Sequence, residues 1–349
     1  MAVATSTQTF DIKPDGTGDY TTLAAWWAAN NTGGAGNAVA PHARCYRGGD
    51  LGALQIDYWA EPAGFTPTAT YYSDVYAAAG EGHDGIAGTG NGAYTTGNIN
   101  VNLAYTRVRG LRSVVTLGSP GFGAVTAGAD NARLDGLLIE LDANANNSHG
   151  IRLHTTAAGT YGMLCQNCLV FVDATGTGTG IQVYATAGVT INGVLYHNTV
   201  HQTAGANYGI ELNANGAGAT VNGWGYNNIA TGFGTDYKIT TAAGGAASWN
   251  TVTHNCSSDA TDPSTADGLT NQTPASLFKA PGTDHNLLGS AAAKYAGTSA
   301  DGVTTDAIGN AYGTTPSMGA LAYVAAAAGL LLSRRSRARS GLGAMRGRR

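Results

Sequence analysis

The alternation of apolar and polar positions is most regular between residues 150 and 233, where one arrangement occurs three times. Gly150-Ile151-Arg152-Leu153-His154, Gly180-Ile181-Gln182-Val183-Tyr184 and Gly209-Ile210-Glu211-Leu212-Asn213 each set a glycine before an alternating strand. A period of two marks a strand with one buried face. Each of these strands is followed by a second apolar segment, introduced by Asn167, Asn198 and Asn228. Self-similarity at about 30 residues, built on strands, is the mark of a solenoid in which each repeat buries its apolar face by stacking on the next. The predicted fold is therefore all-β, a parallel β-helix.

The repeat continues outside that window. Gly110, Gly136, Asn167, Asn198, Asn228 and Asn255 follow one another at intervals of 26 to 31 residues, each before a strand such as Leu137-Leu138-Ile139 or Leu169-Val170-Phe171-Val172. Glycine and asparagine both tolerate the left-handed backbone of a sharp corner, so these positions are read as corners, with the asparagines hydrogen-bonded along the stack as a structural ladder. Aligned in this way, the outward positions fall into three rows: Arg152, Gln182 and Glu211; His154, Tyr184 and Asn213; and Asp135, Gln166, His197, Asn227 and His254. Two readings of such rows stand. They form a solvated sheet face, or they form a groove in which a sugar chain meets aromatic faces and paired hydrogen-bonding groups. Arg152, His154, Gln182, Tyr184, Glu211 and Asn213 are the candidate glycan-binding residues.

Ahead of the repeat, a short strand and a turn at Asp15-Gly16-Thr17-Gly18 lead into a helix beginning near Asp19 or Thr21 and ending at Asn30-Asn31-Thr32-Gly33, with polar residues at both caps. Leu23, Trp26 and Trp27 share one side of it, which suits a helix covering the open end of a β-helix core. Between residues 35 and 105, strands are predicted at 38–40, 53–56, 69–72 and 99–103, separated by glycine-rich turns. The expected organisation is an N-terminal strand and capping helix at 1–34, a β-helix at 35–323, and an apolar then arginine-rich arm at 324–349.

Two segments carry a resemblance. Asp11-Ile12-Lys13-Pro14-Asp15-Gly16-Thr17-Gly18-Asp19-Tyr20-Thr21-Thr22-Leu23 resembles the opening of many pectin-lyase-like right-handed parallel β-helix proteins, and Trp26 is similar to the variant found in bacteriophage particles and environmental bacteria. Asp284-His285-Asn286-Leu287, Ser290-Ala291-Ala292, Ala296-Gly297, Thr305-Asp306-Ala307-Ile308-Gly309 and Pro316-Ser317-Met318-Gly319-Ala320 resemble the terminal coil of the same proteins. The resemblance brackets residues 8–323 and implies a right-handed coil, on a fold that hosts many functions.

Enzymes of that family use calcium-binding acid clusters with a base, clusters of aspartates, or paired aspartates with Gln and Arg nearby. Acid–base cleavage of a glycosidic bond needs two carboxyls a few ångströms apart. In the aligned rows no two carboxyls are neighbours, since Asp135 is followed by Gln166 and Glu211 stands between Gln182 and a residue near Lys238. Only acids outside the rows, such as Asp142, Asp173 and Asp236, are left to converge. No catalytic residue is named, and no cofactor is expected.

Composition refines this. Charged residues are 11% of the chain and glycines number 52, so Asn, Thr, Ser and Gly replace the usual charged coat, while a hydrophobic share of 43% excludes a disordered chain. Cys45, Cys165, Cys168 and Cys256 are too few for a disulfide framework and are expected as core or turn thiols, despite the C-x-x-C spacing of one pair. Glu81-Gly82-His83-Asp84 is read as a solvated turn, and no metal site is expected.

Charge is concentrated at one end. Seven arginines from Arg334 to Arg349 follow an apolar run of about 14 residues, fewer than the roughly 20 that span a bilayer. Without them the chain, at −4 overall, carries −11. Leu330, Leu331, Leu332, Arg334, Arg335, Arg337 and Arg339 are expected to form a docking arm for a partner protein, a phosphate-binding arm on nucleic acid, or a surface-sorting signal. Met1 to Phe10 has neither the basic nor the apolar region of a secretion signal. A polar β-helix without export is reconciled by a virion component: a bacteriophage fibre, spike or head-decoration subunit, made in the host cytoplasm. It is expected to be a homotrimer that binds host surface polysaccharide and other virion proteins. The alternatives are a polysaccharide lyase or hydrolase of the same fold, and a bacterial cell-surface adhesin anchored by its tail.

Overall fold

A computed structural model of the chain describes residues 2–31, 39–56, 65–117, 123–143, 148–173, 178–203, 207–264, 267–299 and 301–324. The arm predicted at residues 330–339 lies outside these. Three parallel sheets form the walls of a β-solenoid, and each coil lays one strand on each wall. In one coil Ala132–Asp135 lies on face 1, Leu138–Ala143 on face 2 and Ser148–Thr155 on face 3; the next coil repeats with Gly159–Gln166, Leu169–Asp173 and Gly178–Thr186. Face 1 has nine strands and faces 2 and 3 have seven each, all stacked in chain order.

The period-two alternation sets the core. On face 3, Val125, Ile151, Ile181, Ile210 and Tyr237 stand in register, as do Ala127, Leu153, Val183 and Leu212, and all point inward and are buried. The last coil is closed by Trp249. A bulge at Asn250 sets Trp249 opposite Gly223 and Thr251 opposite Trp224. A Cβ on Gly223 or Gly225 would lie within 3 Å of the indole, so these two glycines make its seat. At the other end, helix Leu23–Asn30 starts on the Thr22 hydroxyl and buries Leu23, Trp26 and Trp27 completely, beside Ile12, Leu51, Leu54 and Phe65. The strand predicted at 69–72 is instead a bend pinned by Thr68, with strands at Phe65–Thr66 and Asp74–Ala77 around it.

The corner after face 1 falls at the predicted residue in three coils and one residue before it in the next three. The left-handed positions are Gly110, Gly136, Asn167, His197, Asn227 and His254, with φ between 52° and 66°. Asn198, Asn228 and Asn255 stand one residue later, fully buried, and these form the ladder. Asn255 Oδ1 accepts from the amide and side-chain nitrogens of Asn228 at 2.9 and 3.0 Å; Asn228 Oδ1 accepts likewise from Asn198, both at 3.0 Å. Asn198 Oδ1 completes the run by accepting from the Cys168 amide at 3.0 Å. All four cysteines are buried free thiols. The third predicted row therefore mixed two registers: Asp135 and Gln166 align with Tyr196, Tyr226 and Thr253, whereas His197, Asn227 and His254 belong to the corner.

Residues 274–299 and 301–322 do not add another coil to the three sheets. They double back over the outside of face 2 as a strap. Leu277, Phe278, Leu287 and Met318 cover Ile229 and Cys256, while Ala320 and Leu321 cover Leu138, Leu169 and Phe171. Between these, the chain follows the corner toward earlier coils: Asn227 Nδ2 donates to Thr298 O and Asp301 Oδ2, both at 2.7 Å, His197 Nε2 lies 2.9 Å from Asp301 Oδ2, and Asn167 Nδ2 donates to Thr305 O at 3.1 Å. A Cβ on Gly136 would sit 3.1 Å from Ala307 O. The side chains at the later corners thus hold the strap.

Candidate functional site

The predicted rows on face 3 are in register. Arg152, Gln182 and Glu211 are neighbours on successive strands, as are His154, Tyr184 and Asn213. Arg152, His154, Tyr184 and Asn213 are half-buried. Gln182 and Glu211 are buried because the row closes on itself: Arg152 Nε donates to Gln182 Oε1 at 3.0 Å and Gln182 Nε2 to Glu211 Oε2 at 2.7 Å. The other Glu211 oxygen accepts from Thr240 Oγ1 and Asn213 Nδ2 at 2.7 and 3.2 Å. The Arg152 guanidinium stacks 4.5 Å over Tyr184, whose ring is 5.0 Å from that of His154. Burial pulls His154 down to about 4 and its neighbour His149 to about 3, so both imidazoles are neutral at pH 7.

A second surface, on face 1, is hollowed into a groove. A shallow groove of about 440 Å³ is lined by Arg133, Leu164, Asn192, Val194, Tyr196 and Trp224, among others. Parallel register builds it. Arg107, Arg133, Leu164, Val194, Trp224 and Thr251 form one outward line along the stacking axis. Gly162, Asn192 and Asn222 flank it on one side, and Gln166, Tyr196 and Tyr226 on the other. Asn222 Nδ2 donates to Asn192 Oδ1 at 2.9 Å, and the Tyr196 and Tyr226 rings meet edge to face at 5.2 Å. Leu164 and Val194 are small enough beside Trp224 to leave a floor between aromatic and amide walls. Sequence reading missed this site because its polar residues do not alternate identically from coil to coil. The signal was the aromatic enrichment of Tyr196, Trp224 and Tyr226 at outward positions.

Of the three acids outside the rows, two come together. Asp142 and Asp173, both exposed, face each other on adjacent strands of face 2, whereas Asp236 lies on face 3. Asp236 accepts from the Ser258 and Asp259 amides and the Ser258 hydroxyl, and burial pushes its carboxyl up to about 6. Asp262 is likewise raised to about 6 by burial. The Glu81–Asp84 turn is not simply solvated: His83 is buried, with Nε2 2.7 Å from Gly136 O, Glu81 pairs with Arg47, and Asp84 accepts from Ile86, Thr89 and Asn91. Among the described residues, no group of three or more His, Cys, Asp or Glu side chains is placed to hold a metal ion. Comparison of the chain with protein families, curated proteins and solved structures finds no match, which leaves fold and surface chemistry to carry the functional reading.

Proposed function

We propose that the protein is a carbohydrate-binding β-solenoid of the pectin-lyase-like kind, carried on a bacteriophage particle as a fibre, spike or head-decoration subunit. The observation behind the binding role is the face 1 groove, in which Trp224 and Tyr196 stand beside the Asn192–Asn222 amide pair. Aromatic faces stack on the apolar side of sugar rings while amides meet their hydroxyls, and concave sites with a few convergent polar groups are the usual ligand sites. Because the groove runs along the stacking axis, an extended polymer can meet equivalent positions on successive coils, about 4.8 Å apart. The virion assignment rests on the likeness of residues 11–23 and 284–320 to pectin-lyase-like β-helix proteins, in the variant with a tryptophan at Trp26 that resembles those of phage particles and environmental bacteria. Purified protein applied to an array of bacterial surface and plant glycans is expected to retain at least one of them, with retention lost in Trp224→Ala. Absence of binding on the whole array would overturn the reading.

Asp142 and Asp173 favour a second reading, a polysaccharide hydrolase, since two carboxyls on neighbouring strands are the minimum equipment for acid–base cleavage. New reducing ends on incubation with a bound glycan, abolished by Asp173→Asn, would establish it.

A further inference from the structure

The strap is fastened in two different ways. Its later part is pinned by polar side chains: Asn227 holds Thr298 and Asp301, His197 pairs with Asp301, Asn167 holds Thr305, and Thr199 Oγ1 accepts from Ala320 N at 2.9 Å. Its earlier part is a hairpin of Phe278–Ala280 and Asp284–Leu287, preceded by the short helix Pro274–Leu277. A bridge of Ile86 with Asp284, beside which Ala87 N donates to Thr283 O at 2.9 Å, ties this hairpin to an earlier loop. Apolar packing of Leu277, Phe278 and Leu287 over Ile229 and Cys256 supplies the rest of its hold among the described residues.

His285 stands inside that apolar contact. Its ring lies flat on Phe171 at 4.0 Å, is 4.4 Å from Phe278, and meets the His201 ring edge to face at 5.0 Å. Neither of its nitrogens has a hydrogen-bond partner among the described residues. His201 is buried as well, with Nδ1 3.0 Å from Thr231 Oγ1.

The charged groups around these two imidazoles are engaged elsewhere. On face 2, Glu140 neighbours Phe171 in the register but is bound by Arg112, Asp142 and Asp173 are exposed, and the strand Ile229–Thr231 brings no titratable group. On the hairpin, the Asp284 carboxylate accepts from Asn286 N and Nδ2, and exposed Lys279 carries the same sign as an imidazolium. In the earlier loop, Asp84 is held by Ile86, Thr89 and Asn91. Phenyl faces attract an imidazolium but accept no ordinary hydrogen bond, so a proton on His285 would be buried with no acceptor for either N–H. A second proton on His201 would set two like charges 5.0 Å apart. Burial accordingly holds His201 down at about 4 and His285 well below the ordinary histidine value.

We propose that the hairpin is an acid-opened flap: protonation of His285 and His201 lifts it from face 2, uncovering Phe171, Ile229 and Cys256, while the coils and the pinned part of the strap stay in place. The lifted hairpin gives both imidazoles to water, where they bind protons below about pH 6.5, and the closed hairpin keeps them neutral. Opening therefore takes up two protons. Its equilibrium constant rises roughly tenfold for each histidine, and about a hundredfold for the pair, between pH 7.5 and 5.5. The device is independent of what the face 1 groove binds.

The cysteines make a local test possible. Cys256 lies under the hairpin, whereas Cys45, Cys165 and Cys168 lie inside the coils, and all four are buried free thiols. The full chain is treated with dithiodipyridine, which exchanges with thiols in acid as well as in neutral solution, and each labelled cysteine is located by mass spectrometry. Rates are divided by those of the urea-unfolded chain at the same pH. Labelling of Cys256 is expected to accelerate about a hundredfold from pH 7.5 to 5.5 while the other three cysteines stay protected. His285→Phe keeps the ring stack and is expected to cut the acceleration to about tenfold, and adding His201→Gln to abolish it. A Cys256 rate indifferent to pH, or an undiminished acceleration in His285→Phe, would overturn the proposal. So would labelling of all four cysteines together, since that marks unfolding of the whole molecule rather than opening of the flap.

Discussion

Adjacent residues at the corner do different work, and a pair of substitutions separates them. His254 takes φ 54° while Asn255, next to it, turns inward and accepts from both nitrogens of Asn228. His254→Gly replaces a strained side-chain residue with one that adopts the left-handed region freely, and the expected change in stability is within about 1 kcal/mol. Asn255→Gly leaves the buried Asn228 amide without its acceptor, at a cost of about 1–3 kcal/mol for that group alone. Urea midpoints of the two variants check this, and equal sensitivity would refute the assignment of roles. The offset was illegible in the sequence for a chemical reason: asparagine is both a good left-handed residue and a good ladder residue. Asn167 is a corner followed by Cys168, whereas His197, Asn227 and His254 are corners followed by Asn198, Asn228 and Asn255. Regular spacing thus passes from one role to the other without a change of amino acid.

Among the elements, the repeating strands were legible and the strap was not. Ile151, Ile181 and Ile210 align because period two and parallel register leave little freedom once one face is buried. The strap carries no repeat, and its apolar residues are recognised only by what they cover. Leu138, Leu169, Phe171 and Ile229 point out from face 2 yet are almost fully buried beneath it. A chain ending at residue 273 is therefore expected to expose a continuous apolar surface and to bind a hydrophobic dye strongly, while the full chain does not. Within the strap, His285 stacks on Phe171 at 4.0 Å and lies 4.4 Å from Phe278, with neither ring nitrogen hydrogen-bonded. Burial drives its imidazole well below the ordinary histidine value. His285→Phe is expected to keep the stack and remove one acid-sensitive group, raising the thermal midpoint at pH 5 relative to wild type while changing it little at pH 7.

For the molecule as a whole, histidine burial sets the response to acid. His42, His83, His149, His154, His201 and His285 are all pulled down, in each case by burial first, with His201 at about 4. Below about pH 6.5 the unfolded chain binds protons at these positions and the folded chain does not, so stability falls as pH falls through that range. Asp236 and Asp262 act in the opposite sense, since carboxyls raised to about 6 take up protons in the folded state first and gain stability between pH 6 and about 4. Six groups oppose two, and the thermal midpoint is expected to drop between pH 6.5 and 4.5. A flat or rising midpoint over that interval would contradict the burial of the histidines.

The ladder and the sheets join residues about one coil apart in sequence, such as Asn198 and Asn228. The strap joins Asn167 to Thr305 and Thr199 to Ala320, separations of 138 and 121 residues. Loop-closure entropy makes partners that distant meet late. During synthesis the coils can accumulate one upon another as they emerge, each exposing the outward apolar residues of face 2 until the strap arrives and shuts over them. The nascent chain therefore passes through a long sticky interval, in which its yield depends on how quickly the ribosome finishes, and afterwards no coil beneath the strap can peel away without first lifting it.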